Sequence, residues 1–127
     1  MAIKRIGVGP RMSKAVVANG MVFLAGQVAD KAAGGSIAAQ TKEILASIDE
    51  LLAQAGTDKT RLLSVNIWLS DMSTFAEMNS VWDGWTPQGH TPARATGQPK
   101  TRFAAFPFSP RLQTVTIGVP RAWETPR

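Results

Sequence analysis

One arginine, Arg94, stands in a segment whose other residues could hold its charge in a fixed place. It lies within GHTPARATG, residues 89–97, directly after Pro92-Ala93 and before two small residues. Proline fixes its own φ angle and biases the residue before it towards extended backbone, so the segment predicts a rigid start to a strand. A guanidinium held there could bind a small anion. The same pattern also fits an exposed loop with one solvated arginine, which is the commoner case for a charged side chain.

The chain has few other residues in patterns that usually support catalysis. The chain has no cysteine, which excludes disulfides, thiol nucleophiles and cysteine-based zinc sites. Its single histidine, His90, disfavours a histidine-rich metal centre. The glycines and lysine of GVGPRMSK (7–14) lack the spacing of phosphate-binding loops. Asp49 and Glu50 fall on the polar face of a predicted helix, which favours a solvated role over general-acid chemistry.

The net charge of +5 belongs mainly to the C-terminal part of the chain. Residues 1–95 hold nine Lys/Arg against eight Asp/Glu, which gives +1, and residues 96–127 hold five against one, which gives +4. These basic residues form no helical stripe and no stacking platform, so we expect no nucleic-acid partner. No apolar run reaches the roughly 20 residues that span a bilayer, and no secretory signal follows the N-terminal charges. We therefore expect no membrane partner and a cytoplasmic protein.

The length of 127 residues predicts a single domain over residues 1–127. Strands are predicted at 3–8, 13–18, 21–28 and 61–69, and further strands at 93–97 and 112–119. Asn19-Gly20 is a two-residue hairpin signal between the second and third strands. In RLLSVNIWL (61–69), Leu63 and the apolar residues at every second position after it predict one buried face.

Two helices are predicted between the strands. The first has the apolar face Ile44, Ile48, Leu51, Leu52 and Ala55, and it lies between a small-residue loop at 29–36 and a stop at Gly56. The second spans about 73–85, with Phe75, Met78, Trp82 and Trp85 on one side, and Thr74 and Glu77 at capping-box spacing. The tryptophans favour a core or subunit contact. The order predicts an α+β domain with two helices on one face of a mixed sheet.

Asn79 is the polar residue among the apolar positions of the second helix. It could cap a neighbouring loop or belong to a site, and the pattern alone leaves both open.

Four segments in a fixed order resemble the Rid family, also called the YjgF family of reactive-intermediate deaminases. They are VFLAGQV at 22–28, QTKEILASIDELLAQAG at 40–56, WLSDMSTFAEMNSVW at 68–82 and TPAR at 91–94. The resemblance covers about residues 3–95. It implies a chorismate-mutase-like α+β fold, a homotrimer, and ligand clefts between adjacent subunits.

The resemblance also implies an activity and a site. Archetypal members hydrolyse enamines and imines, such as 2-aminoacrylate, to 2-keto acids and ammonia without a cofactor, so the implied partner is a small carboxylate-bearing metabolite. Arg94 matches the arginine of the family's P-x-R motif, which binds the substrate carboxylate, and this implies a catalytic and ligand-binding role. A guanidinium suits a planar carboxylate because two parallel hydrogen bonds join them. Asn79 matches a helix asparagine near the cleft, and Ala25 and Gly26 match the residues that precede the family's glutamine.

Several positions depart from the family pattern. Ala25 replaces a serine, and Met12 in GPRMSKA stands in place of the tyrosine of a G-P-Y-S motif. The final strand, where the family has a V-E-I pattern, offers Val115-Thr116-Ile117, and neither threonine nor Gln113 is a carboxylate base. Two functions stay open: a hydrolase of imines and enamines, and a non-catalytic binder of small carboxylates with the same cleft.

The resemblance fades after Ala95. Residues 96–127 form a divergent tail, rich in proline, arginine and phenylalanine. True divergence would explain this tail, and so would a reading-frame change in the gene.

Overall fold

The computed structural model describes residues 2–98 and, as backbone, residues 112–120. The strands are β1 (Ile3–Val8), β2 (Ser13–Ala18), β3 (Met21–Val28), β4 (Ser64–Leu69), β5 (Ala93–Gly97) and β6 (Leu112–Pro120). The helices are α1 (Ile37–Gln54) and α2 (Phe75–Trp85), and two short 3-10 turns cover Lys59–Arg61 and Met72–Thr74. Most of the divergent tail lies outside the described residues, apart from its first residues in β5 and the strand β6.

The strands form a six-stranded mixed sheet in the order β1-β2-β3-β6-β4-β5. Neighbouring strands are antiparallel, except that β4 and β5 run parallel. The predicted strand at 112–119 is therefore confirmed, and it lies between β3 and β4. The α+β fold is confirmed with it.

The hairpin between β2 and β3 forms at the predicted turn. Asn19 has a φ of 51° and Gly20 a φ of 75°, and Ala18 pairs with Met21 on either side of them. Type I′ turns need positive φ at both central residues, and asparagine followed by glycine meets that need at the lowest steric cost.

The two helices and one face of the sheet enclose the core. Buried residues of α1, including Ile44, Ile48 and Leu52, face a sheet surface that includes Val22 and Val65. Burying such a side chain contributes about 1.5–3 kcal/mol, so this apolar face fixes which side of the sheet the helices cover. Neither helix in the described part of the chain is long and apolar enough to cross a membrane.

The opposite face of the sheet carries apolar side chains without a cover in the single chain. Ile3, Phe23 and Trp68 are 51%, 43% and 38% exposed. Phe23 and Trp68 alternate with buried residues of β3 and β4, and Ile3 lies on β1, where Ile6 is the buried residue. We call the sheet face that carries these three residues the open face.

Helix α1 has well-formed ends. The Ser36 hydroxyl accepts a 3.1 Å hydrogen bond from the Ala39 amide, which is the usual N-cap contact. At the other end Gly56 has a φ of 82°, and the Thr57 amide donates to the Leu52 carbonyl at 2.9 Å. Gly56 thus ends the helix as predicted, because a left-handed residue at this position closes the last turn.

Two predictions of local structure are wrong. The fourth strand begins at Ser64 rather than Arg61, because Asp58 caps the short turn before it and accepts a 2.9 Å hydrogen bond from the Thr60 amide. Leu63 consequently lies outside the strand and is exposed.

The capping box of the second helix is also absent. Helix α2 begins at Phe75, and the Thr74 side chain makes no capping hydrogen bond. The Glu77 carboxylate instead accepts a 2.7 Å hydrogen bond from the Ala38 amide in the first turn of α1. That contact joins the two helices, and it satisfies a donor that the start of α1 leaves free.

Candidate functional site

Arg94 lies on β5, the strand at one end of the sheet. Its register partner on β4 is Val65, a buried residue of the face that the helices cover. Side chains in register on neighbouring strands point to the same face, so the half-buried Arg94 also points towards the helices. The strand is held in place at its start by a 3.0 Å hydrogen bond from the Ala93 amide to the Leu63 carbonyl.

The Arg94 guanidinium contacts three side chains of α2. Its Nη1 donates a 2.8 Å hydrogen bond to Oδ1 of Asn79. Its central carbon is 5.2 Å from the ring centroid of Trp82 and 5.8 Å from that of Phe75, both within cation–π range. The structure therefore brings Arg94 and Asn79 together, and Asn79 binds this arginine rather than a neighbouring loop.

The spacing of these residues on α2 explains the arrangement. Phe75, Asn79 and Trp82 are separated by four and three positions, so they lie on one side of the helix. Met78 and Trp82 are buried in the core and fix the rotation of α2 about its axis. The apolar spacing predicts a core or subunit contact for Trp82, and it does not predict the contacts of Phe75 and Trp82 with Arg94. A single asparagine within that apolar stripe was the available signal.

The guanidinium keeps donors for a ligand. It has five N–H groups, and among the described residues Asn79 accepts from one of them. The remaining edge of the planar group can give a carboxylate two parallel hydrogen bonds. Thr96, two residues further along the same face of β5, has a buried hydroxyl with no hydrogen-bond partner in the described part of the chain.

Ala25 and Gly26 lie elsewhere in the subunit. They belong to β3, three strands from β5, which at the usual strand spacing is about 14 Å from Arg94. Ala25 is half-buried, and its carbonyl accepts a 2.9 Å hydrogen bond from Nε2 of Gln27. The structure does not bring these two residues together with Arg94 within one chain.

Gly26 lines a separate cavity of about 390 Å³ between α1 and the β1–β2 hairpin. Met12 and Lys14 contribute to its hairpin side, and Ser47 and Glu50 to its helix side. Lys14 belongs to GVGPRMSK (7–14), whose spacing is not that of a phosphate-binding loop, and no sequence pattern predicts its place in this cavity. Its aliphatic stem lies against Gly7, where an added Cβ would come within 2.8 Å of it.

A threonine of β6, Thr116, is in register with Arg94 across the sheet, and we call this line of paired residues the row of Arg94. Thr116 pairs with Val65 of β4 on one side and with Leu24 of β3 on the other, and Val65 in turn pairs with Arg94. No residue from 112 to 120 is an aspartate or glutamate. The register therefore places no carboxylate of β6 beside Val65 and Arg94.

The other titratable residues that the sequence suggested for chemistry do not come together in one site. His90 is exposed in the loop between α2 and β5. Asp49 accepts a 2.9 Å hydrogen bond from Nε1 of Trp85, so it has a structural partner on α2. In residues 2–98, no group of three or more histidine, aspartate and glutamate side chains is placed to hold a metal ion.

Comparisons with known proteins agree with this architecture. Residues 3–101 match the family model described as Endoribonuclease L-PSP. The chain is 38% identical over 100 residues to a RutC family protein of Haemophilus influenzae, covering 79% of this chain and 86% of that protein. It is 30% identical over 112 residues to the 2-iminobutanoate/2-iminopropanoate deaminase of Rattus norvegicus, covering 84% of this chain and 78% of that protein.

Solved structures give the same result for the fold. The crystal structure of a YjgF family member from Neisseria meningitidis is similar with a TM-score of 0.84 and 43% identity, covering 95% of this chain and 97% of that one. A second structure, from Pseudomonas aeruginosa, has a TM-score of 0.84 and 33% identity, covering 94% of this chain and all of that one.

Proposed function

This chain belongs to the Rid (YjgF) family, and we propose that it hydrolyses reactive imines and enamines of short amino acids to 2-keto acids and ammonia. The observation that carries the proposal is the placement of Arg94. Its guanidinium is half-buried, oriented by a 2.8 Å hydrogen bond to Asn79, and keeps an edge that fits a carboxylate. The deaminase name of the similar rat protein supports the same chemistry.

The main task of the protein in this reaction is to orient the imino acid relative to water. Arg94 binds the carboxylate of the imino acid, which fixes the adjacent C=N carbon. Water adds to that carbon, a C–O bond forms, and the nitrogen takes a proton. The resulting carbinolamine loses ammonia as the C–N bond breaks, which leaves the 2-keto acid. An imine carbon is already electrophilic, so fixing its position relative to water can supply much of the acceleration.

A complete site of this kind requires two subunits. Arg94 and Asn79 lie on one side of the chain, whereas Ala25 and Gly26 lie about 14 Å away on β3. We propose a homotrimer in which the first pair of one subunit faces the second pair of its neighbour. The open face supports this assembly, because three large apolar side chains lie exposed on it.

A second candidate function is binding of small carboxylates without catalysis. The register of β6 favours it, because Thr116 stands in the row of Arg94 where a water-orienting carboxylate would be expected. Ala25 and Met12 likewise lack the hydroxyl groups of the family pattern. The carboxylate contact with Arg94 is common to both functions.

The experiment that separates the two candidates is a hydrolysis assay with a binding assay beside it. 2-Iminopropionate is generated in place from alanine by an amino-acid oxidase, and pyruvate release is compared with a protein-free blank. Arg94→Ala is the test variant, and Arg61→Ala, a change of another arginine in a turn before β4, is the matched control.

We expect acceleration by the unmodified chain and by Arg61→Ala, and none by Arg94→Ala. Binding of 2-oxobutyrate without any acceleration would favour the binder. Absence of both acceleration and binding would overturn the proposed function.

A further inference from the structure

Two aromatic rings of α2, those of Phe75 and Trp82, lie against the Arg94 guanidinium. We propose that Phe75 and Trp82 are positioning residues, which hold the Arg94 guanidinium in the orientation that receives the carboxylate. This inference rests on the proposed role of Arg94. It assigns a function to Phe75, which the sequence pattern placed on the apolar side of the second helix, and to Trp82, for which the pattern favoured a core or subunit contact.

The first observation is the distance of the cation from the two rings. The guanidinium carbon is 5.2 Å from the Trp82 centroid and 5.8 Å from the Phe75 centroid. Arginine is favoured near aromatic rings because its cation is weakly hydrated and is attracted by the ring quadrupole. The two rings and the Asn79 amide oxygen therefore hold the group at three points on one helix.

The second observation is that these contacts leave the arginine able to bind. Ring contacts use no N–H donor, and Asn79 accepts from one of the five. A carboxylate partner at the same place would have neutralised the cation. An aromatic and amide environment keeps both its charge and its free edge available to a ligand.

The third observation concerns the rigidity of Trp82. Its ring lies 5.4 Å from that of Trp85, at an angle of 48°. Trp85 is fixed in turn, because Nε1 donates to Asp49 at 2.9 Å and its carbonyl accepts from Nζ of Lys59 at 2.7 Å. Trp82 is itself buried, so the ring beneath Arg94 has little freedom to move. Supporting contacts of this kind preserve the geometry of a binding group.

The test combines ligand affinity with a double-mutant cycle. Phe75→Leu removes a ring and keeps an apolar side chain, and Trp82→Phe keeps a smaller ring if the core does not tolerate a larger change. Each is measured for 2-oxobutyrate affinity by calorimetry, alone and together with Arg94→Met. Met78→Leu is the matched control, because Met78 is buried on the same helix and its change preserves approximate volume.

We expect Phe75→Leu to weaken binding about 2- to 30-fold, which is the range of one cation–π contact, and Trp82→Phe, which keeps a smaller aromatic ring, to weaken it less. In the Arg94→Met background, the same changes should leave the residual affinity unaltered. Met78→Leu should change affinity in neither background. A loss of thermal stability without a loss of affinity would show that the rings only pack, and would overturn the inference.

A second readout does not depend on any ligand. In NMR spectra the Nε–H signal of Arg94 should carry the ring-current shift of the two aromatic residues. It should move on Phe75→Leu and on Trp82→Phe, and stay in place on Met78→Leu. If the chain bound no 2-oxobutyrate, the proposed function would be wrong. The NMR signal would still show whether Phe75 and Trp82 position the Arg94 guanidinium. A signal that neither ring substitution moved would overturn the positioning itself.

Discussion

The amide oxygen of Asn79 accepts a 2.8 Å hydrogen bond from Nη1 of Arg94, which joins α2 to the strand β5. The two residues are fifteen positions apart, and the bond fixes one side of the guanidinium, while no described residue accepts a hydrogen bond from the other side. The neutral amide is important here. It orients the arginine without cancelling the charge that a carboxylate ligand would meet.

Asn79→Asp tests that reasoning with almost no change in shape. The new carboxylate should form an ion pair with Arg94 and compete with any ligand for the same cation. We expect 2-oxobutyrate affinity to fall about tenfold or more, which is the scale of losing a charge-assisted pair in a partly desolvated place. Unchanged affinity in titration calorimetry would mean that the ligand does not use Arg94.

The assembly prediction concerns the open face. Sedimentation at micromolar concentration should give three times the chain mass of 13.6 kDa. Phe23→Glu should dissociate the trimer, because it puts a charge on an exposed apolar position of that face. Leu63→Glu is the control, since Leu63 is 49% exposed, against 43% for Phe23, but precedes β4. A stable monomer of the unmodified chain would remove the proposed cleft between subunits.

Glu43 predicts a pH dependence of stability. Its carboxylate accepts hydrogen bonds from the backbone amides of Asp30, Ala32 and Lys31, at 2.7, 2.7 and 3.2 Å. These bonds, that of Asp30 first, hold the pKa of Glu43 below its ordinary value of 4.5. A carboxyl with a lowered folded pKa stabilises the fold fully above its unfolded pKa, and this contribution is lost as the pH falls through the folded pKa.

The corresponding measurement is denaturant unfolding of the unmodified chain and of Glu43→Gln, from about pH 6 to about pH 3. The difference in the free energy of unfolding should be largest above pH 4.5 and should shrink below it. A difference that stays constant across the whole range would show that this carboxylate contributes no proton linkage.

The place of β6 predicts what the divergent tail does for the fold. This strand is paired on both sides, with β3 and β4, so a chain ended at Gln98 would lose the connection between them. We expect that truncation to abolish cooperative thermal unfolding, whereas a chain ended at Pro120 should retain it. A cooperative transition in the shorter chain would favour the reading-frame explanation of the tail over true divergence.

Much of the fold follows from local sequence signals. Asn19-Gly20 predicts its hairpin because the turn needs two positive φ angles, and Gly56 predicts the end of α1 for a related reason. Both signals lie within the few residues that they control.

The contacts that the sequence does not predict join residues that are distant in sequence. Glu77 has the spacing of a capping box with Thr74, yet its carboxylate is used by Ala38, 39 residues away. Local sequence patterns likewise do not predict the contact between Arg94 and Asn79, because the two residues are 15 positions apart. The resemblance could indicate both as site residues, but only the fold shows that they touch and that Ala25 and Gly26 do not join them in one chain.

The central claim is that Arg94 binds a small carboxylate, and its most direct test is 2-oxobutyrate affinity in three proteins. Arg94→Ala should weaken binding at least tenfold, because losing such a pair costs on the order of 2–5 kcal/mol. Arg94→Lys should recover only part of the affinity, since an ammonium cannot reproduce two parallel hydrogen bonds. Both variants should keep the fold and the assembly of the unmodified chain. Intact binding by Arg94→Ala, or loss of the assembly in its place, would contradict the account and make Arg94 a structural residue.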